Sequence, residues 1–116
     1  MKHFIVTITL TACPAEIESH LVAEHDRHFC KGQDLMLFLF HGRLASGRGY
    51  LAVARTRSRE TLSAFLLEDR LVAEGKASVQ ILEFEPAGFP EVLRGWMHPL
   101  GFGPGPEWDE EIGIAI

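Results

Sequence analysis

The sequence has only two cysteines, no long apolar run and no excess of positive charge, and each absence excludes a class of protein. Cys13 and Cys30 flank a predicted helix and would lie roughly 25 Å apart, which is too far for a disulfide bond. Unpaired thiols are typical of a reducing compartment, so we expect a cytoplasmic protein. The chain has 11 Lys and Arg against 16 Asp and Glu, whereas nucleic-acid recognition requires clustered basic residues. We therefore expect no nucleic-acid partner.

Apolar residues are frequent but never continuous for the roughly 18 positions of a membrane-spanning helix. The N-terminal run HFIVTITLTA alternates apolar residues with threonines, which is typical of a strand and not of a signal peptide. With 116 residues, 47% of them hydrophobic, the chain has the size and composition of one globular domain. We expect no membrane partner.

Hydrophobic periodicity predicts the element order β-α-β-β-α-β over residues 1–86. The pattern predicts strands at residues 3–11, 35–40, 50–56 and 78–85. It predicts a first helix at residues 14–31 and a second helix that Ser58 caps and that continues through Asp69. This order predicts an α+β fold of the ferredoxin-like, split βαβ type.

The second predicted strand, LMLFLF at residues 35–40, is apolar on both faces. Two helices can cover only one face of a four-stranded sheet, and an uncovered apolar face favours association. We therefore predict a homodimer through the sheet face, with the chain's own tail as the alternative cover. Residues 87–116 hold both tryptophans and are rich in proline and glycine. We predict that this C-terminal arm packs on the domain or on its dimer partner.

Two polar residues interrupt apolar helix faces. His25 lies in the middle of the apolar arc of the first helix, and Asp69 continues the apolar stripe of the second. Since both helices cover the same sheet face, the two side chains can reach one pocket. A carboxylate beside an imidazole favours the charged pair and fixes the tautomer of the ring. The pair is therefore a candidate general acid/base, and a purely structural His–Asp pair is the alternative.

Two further residues are candidates for substrate binding. His28 either adds a polar contact to the pocket or interacts with the dipole at the helix end. Ser46, in the segment SGRG, belongs either to an anion-binding loop or to an ordinary hairpin turn. His25 and His28 are spaced to share an ion, but a catalytic zinc needs a third protein ligand. We expect no metal and no cofactor.

The segment EDRLVAEGKASVQILEFEP, residues 68–86, resembles the hallmark of the YCII-related (YciI-like) family in the dimeric α/β-barrel superfamily. AEHDRHF resembles the first-helix signature of that family, with His25 at the matching position, and GRLASG is similar to its glycine-rich segment. Arg70 replaces the usual proline, and the spacing from His25 to GRLASG is longer than usual. The hallmark positions are occupied by Asp69, Leu71, Gly75, Phe84 and Pro86.

The resemblance implies a dimeric α/β-barrel assembly whose pocket holds a His–Asp pair that is thought to be catalytic. Relatives with a known role act on small ring compounds, including the elimination of HCl from a chlorinated hydroxyquinol. We therefore expect a cofactor-free lyase or isomerase that uses His25 and Asp69 on a small phenolic or anionic ring compound. The alternatives are a non-catalytic small-molecule-binding module with the same pocket, and a dimerisation domain whose tail recognises a partner.

Overall fold

The computed structural model describes residues 1–97 and, beyond them, only the backbone of residues 108–109 and 114–115. The strands are β1 (Lys2–Leu10), β2 (Phe38–Arg43), β3 (Gly49–Thr56), β4 (Ala77–Phe84), β5 (Trp108–Asp109) and β6 (Ile114–Ala115). The helices are α1 (Ser19–Asp34), α2 (Arg59–Leu67), α3 (Arg70–Ala73) and α4 (Arg94–Met97). Two single 3₁₀ turns cover Pro14–Glu16 and Glu91–Leu93.

The first four strands form one antiparallel sheet in the order β2-β3-β1-β4. The chain is thus an α+β protein, and its strand order is compatible with the predicted ferredoxin-like arrangement. In β1, alternate residues point to opposite faces, and those on the helix-covered face are buried. The core is completed from the helices by Leu21, Phe29, Leu62, Phe65 and Leu66, among others.

The first helix differs from its predicted bounds of 14–31 at both ends. Pro14 supports only a single 3₁₀ turn, because Ile17 and Glu18 are extended and α1 therefore begins at Ser19. The predicted helix ends at residue 31 because glycine, here Gly32, commonly follows the last residue of a helix, but in the structure Gly32 lies inside α1. A Cβ atom there would lie 2.8 Å from two ring carbons of Phe38, so glycine is required for close packing against β2.

The second strand also differs from its predicted bounds of 35–40. Leu35 ends α1, and Met36 has a φ of 62°, which turns the chain before the strand begins at Phe38. A bulge between Phe38 and Phe40 shifts the register against β3. The apolar run therefore does not alternate regularly: Leu37 and Phe38 are both buried, whereas Phe40 is 53% exposed.

The sheet face away from α1 and α2 is partly covered by the residues that follow β4. Trp96 packs its ring against the guanidinium of Arg55, 5.2 Å from ring centroid to Cζ, and its Nε1 donates to Met36 O at 3.2 Å. Part of the predicted arm thus packs on its own domain. The remainder of that prediction lies outside the described residues, apart from β5, which pairs antiparallel with β6.

Candidate active site

His25 is buried because the spacing of α1 places it on the face that packs against the sheet. The buried positions of α1 are Leu21, His25, Phe29 and Gly32, which follow one another at intervals of three or four residues, as one helix face requires. The His25 ring is 1% exposed. It lies between the rings of Phe29 and Tyr50, at centroid distances of 4.4 and 4.0 Å.

Asp69 is fully buried and is positioned by the break between α2 and α3. The prediction that it continues the stripe of α2 is wrong, because α2 ends at Leu67 and Asp69 has extended backbone angles. Asp69 is instead the N-cap of α3, and its Oδ1 accepts a hydrogen bond from Leu71 N at 2.8 Å. Such a cap satisfies one of the amides that a helix leaves free at its start.

The structure brings the two predicted residues into direct contact. His25 Nδ1 and Asp69 Oδ2 form a short hydrogen bond inside the core. A buried carboxylate can only accept, so Nδ1 carries the proton, and the carboxylate fixes both the orientation and the tautomer of the ring. Nε2 is then the ring nitrogen that remains for a bound molecule.

A cavity of about 260 Å³ lies beside this pair, between α1 and the strands β2 and β3. Among the residues that line it are His25, Asp26, His41, Gly42, Arg43 and Tyr50. A second cavity, of about 410 Å³, lies under the residues that follow β4, and among the described residues that line it Glu85 is the only titratable one. Groups able to exchange protons are therefore concentrated in the first cavity.

The electrostatics of the cavity affect two titratable groups in opposite directions. Partial burial, together with a positive charge on His25, lowers the pKa of His41, and Asp26 opposes this shift. Burial and the negative charges of Asp26 and Asp69 raise the pKa of the Tyr50 phenol, with Arg43 acting in the opposite direction. At neutral pH these shifts favour a neutral imidazole at His41 and a protonated phenol at Tyr50.

The two predicted substrate-binding residues do not line this cavity. His28 stacks on the Phe65 ring at 4.1 Å, and its Nε2 lies 2.7 Å from Phe65 O, to which it donates. This contact joins α1 to α2. Ser46 is exposed in the turn between β2 and β3, where its Oγ accepts from Arg48 N at 3.2 Å. Of the four candidates, only His25 and Asp69 meet.

Neither a metal site nor a membrane segment is found in the part of the chain that the structure describes. Within it, no group of three or more His, Cys, Asp or Glu side chains is arranged to hold a metal ion. No helix in the same part is both long enough and apolar enough to cross a bilayer. Cys13 and Cys30 are free and exposed, as their predicted separation requires.

Sequence reasoning missed His41 and Tyr50 as cavity residues. The predicted second strand ended at Phe40, so His41 belonged to no predicted element and had no predicted face. In the structure His41 pairs with Ala52 across β2 and β3, on the helix-covered side of the sheet. The apolar run at residues 35–40 contains no sequence feature that predicts the bulge in β2. Tyr50, however, pairs with Ile8, so its face follows from the alternation of β1.

Comparisons with known proteins assign the chain to no family. No family model matches the chain, and a search of curated proteins finds no similar sequence.

Proposed function

We propose that this chain is a cofactor-free acid/base enzyme of the lyase or isomerase type that acts on a small phenolic or anionic ring compound. The observation that carries the proposal is the buried hydrogen bond between His25 and Asp69 beside a cavity. In this arrangement Asp69 orients the imidazole and balances its charge, and Nε2 exchanges the proton with the substrate. Lyase and isomerase reactions suit the pair because proton transfer is the main chemistry they require.

The size and polarity of the cavity support a small substrate with an acidic or anionic group. Small-molecule sites usually enclose about 300–1,000 Å³, and this cavity of about 260 Å³ lies just below that range. Arg43 supplies a positive charge for an anionic substituent, and Tyr50 supplies a hydroxyl for an oxygen of the substrate.

We further propose that the chain is a YCII-like protein with a ferredoxin-like fold and that it forms a homodimer through the open face of the sheet. The order of the short motifs around His25 and Asp69 supports membership of this family.

Two large apolar residues support the dimer: Phe40 is 53% exposed and Leu82 is 63% exposed. Both belong to the open face, since Phe40 pairs with Val53, and Leu82 and Val53 both pair with Ile5. An exposed apolar face of this kind is typical of an interface.

The function can be tested with the full chain and a panel of substituted catechols, hydroxyquinols and muconolactones. Turnover is followed by ultraviolet absorbance, and binding is followed through the imidazole signals of His25 in NMR spectra. We expect at least one compound to be converted and His25→Gln to reduce the rate by roughly 10²-fold or more. His20→Gln is the matched control, because His20 lies on the same helix with its side chain 63% exposed.

The alternatives give different results in the same experiment. A binding module would show ligand-induced changes at His25 without conversion of any compound. A purely structural His–Asp pair would show no change at His25 with any compound, and His25→Gln would lower only the unfolding temperature. Either result would overturn the proposed enzymatic function.

A further inference from the structure

We propose that His41 is a second proton-transfer residue of this cavity, so that His25 and His41 act as acid and base on two positions of one substrate. The inference rests on the proposed function, since it assumes that a substrate binds against His25. The inference adds a base to the site. It restricts the reaction to one in which a proton is removed from one atom of the substrate and another atom of the substrate is protonated.

The positions of the two rings support this pairing. His25 comes from α1 and His41 from β2, and both line the same cavity. Phe29 contacts both rings, at centroid distances of 4.4 Å to His25 and 5.8 Å to His41. The two imidazoles thus approach a bound molecule from the helix and from the sheet, so they can serve different atoms of it.

Burial and the charges around His41 favour the neutral form of its ring. The groups that face it are His25 and Asp26 from α1, Arg43 from its own strand and Tyr50 from β3. Burial and the positive charge on His25 lower the pKa of His41, and Asp26 opposes this shift, so the neutral form of the His41 ring is favoured. Asp69 accepts from His25 Nδ1, so its carboxylate balances the positive charge that the His25 ring carries when it acts as the acid.

With His41 as the base and His25 as the acid, the proton transfer balances and needs no oxidant, reductant or cofactor. The neutral His41 takes a proton from carbon or oxygen of the substrate, and the electron pair of that bond forms a new double bond. His25 donates its Nε2 proton either to another carbon, which gives an isomer, or to a leaving group, which departs as HX. Exchange with solvent through the cavity then returns a proton to His25 and removes one from His41.

Tyr50 and Arg43 narrow the class of substrate. The Tyr50 phenol stays protonated because its pKa is raised, so it donates a hydrogen bond to a carbonyl or enolate oxygen as charge develops there. Arg43 attracts an anionic substituent. We infer a small cyclic carbonyl compound or phenol that carries an anionic group and an acidic hydrogen.

A nitro-substituted benzisoxazole is a suitable probe, because its reaction does not depend on knowing the natural substrate. A base removes the carbon-bound proton, the electron pair forms a nitrile and the N–O bond breaks. The phenolate oxygen that leaves takes a proton from an acid or remains as a coloured ion. The test compares the full chain with His41→Gln, His25→Gln and the control His20→Gln, and the imidazole NMR signals report whether each variant is folded.

We expect the wild-type protein to accelerate this elimination above free imidazole at the same concentration. His41→Gln should reduce the rate by roughly 10²-fold or more, and His20→Gln should leave it unchanged. The wild-type rate should rise with pH to a plateau, with a midpoint below the ordinary value of 6.5 for histidine. His25→Gln should raise that midpoint, because it removes a nearby positive charge that lowers the pKa of His41.

Three results would overturn the assignment of His41: no acceleration by the wild-type protein, a His41→Gln rate within twofold of wild type, or a midpoint that His25→Gln does not move. The proposed function fails independently, when no ring compound of the panel is converted. If a compound of the panel is converted and His25→Gln abolishes its conversion while His41→Gln does not, only the assignment of His41 is wrong.

Discussion

Replacing Asp69 separates two contributions of one side chain, because each of its oxygens has a different partner. Oδ1 caps α3 through Leu71 N, and Oδ2 bonds to His25 Nδ1. Asp69→Ala removes both bonds. Loss of the cap costs about 1 kcal/mol, and an imidazole N–H left without an acceptor in the core costs about 1–3 kcal/mol. We therefore expect the free energy of unfolding to fall by about 2–4 kcal/mol.

Asp69→Asn keeps an oxygen for the cap and places an amide nitrogen beside His25. That nitrogen can only donate, so in the neutral form of the ring His25 Nδ1 must accept and the ring proton moves to Nε2. We expect a loss of about 1–2 kcal/mol, because the cap is kept and a charge-assisted hydrogen bond becomes a neutral one. At a pH where the imidazole is neutral in both proteins, the chemical shifts of Nδ1 and Nε2 should therefore be interchanged between wild type and Asp69→Asn.

Urea unfolding followed by circular dichroism measures both variants, with the free energy taken by linear extrapolation. Glu68→Ala is the control, since Glu68 is the exposed neighbour of Asp69 and its loss should change stability by less than about 0.5 kcal/mol. Equal stability of Asp69→Ala and Asp69→Asn would refute the inference that the two oxygens of Asp69 make separate contributions to stability. Retention of the Nδ1 proton in Asp69→Asn would refute the account of the tautomer.

Two further predictions concern the sheet. A Cβ atom at Gly49 would lie 2.1 Å from the backbone oxygen of Ile8, whereas one at Gly42 would meet nothing within 4 Å. Gly49→Ala should therefore lower the free energy of unfolding by about 1–3 kcal/mol and Gly42→Ala should not. Equal melting temperatures for the two variants would contradict this packing. For the proposed homodimer, Leu82→Lys should convert the dimer to a monomer in sedimentation velocity and Glu83→Lys should not, because neighbouring strand residues face opposite sides. A wild-type monomer at micromolar concentration would contradict the interface.

Regular periodicity made a large part of the fold predictable. The alternation of β1 correctly places Phe4, Val6 and Ile8 on the buried face, and the stripe of α1 correctly buries His25. The alternation of β1 and the apolar stripe of α1 both repeat over several residues, so several positions together indicate which face is buried. The contact between His25 and Asp69 followed from the topology, since consecutive helices of this arrangement lie on one sheet face.

The irregular positions were not predictable, and each depends on a tertiary contact. The sequence pattern predicts that the first helix ends before Gly32. In the structure Gly32 lies inside α1, where the Phe38 ring packs against it. The sequence pattern predicts Asp69 as the next position of the apolar stripe of α2. The helix ends before this residue, so Asp69 is instead the N-cap of α3. His41 gained its place in the cavity through a bulge that moves the register of β2. Local propensity carries no information about these neighbours.

The energetics of burial indicate that packing alone does not explain the buried His–Asp pair. A buried ion pair generally contributes little net stability, and well-packed apolar residues in its place are often neutral or stabilising. His25 lies on the same stripe of α1 as Leu21 and Phe29, so this position favours an apolar side chain as far as packing is concerned. The position next to the cavity gives the imidazole a use that an apolar residue lacks, because its second nitrogen remains for a bound molecule. Stability alone therefore does not account for His25, and the proposed proton transfer offers a reason for an imidazole at this position.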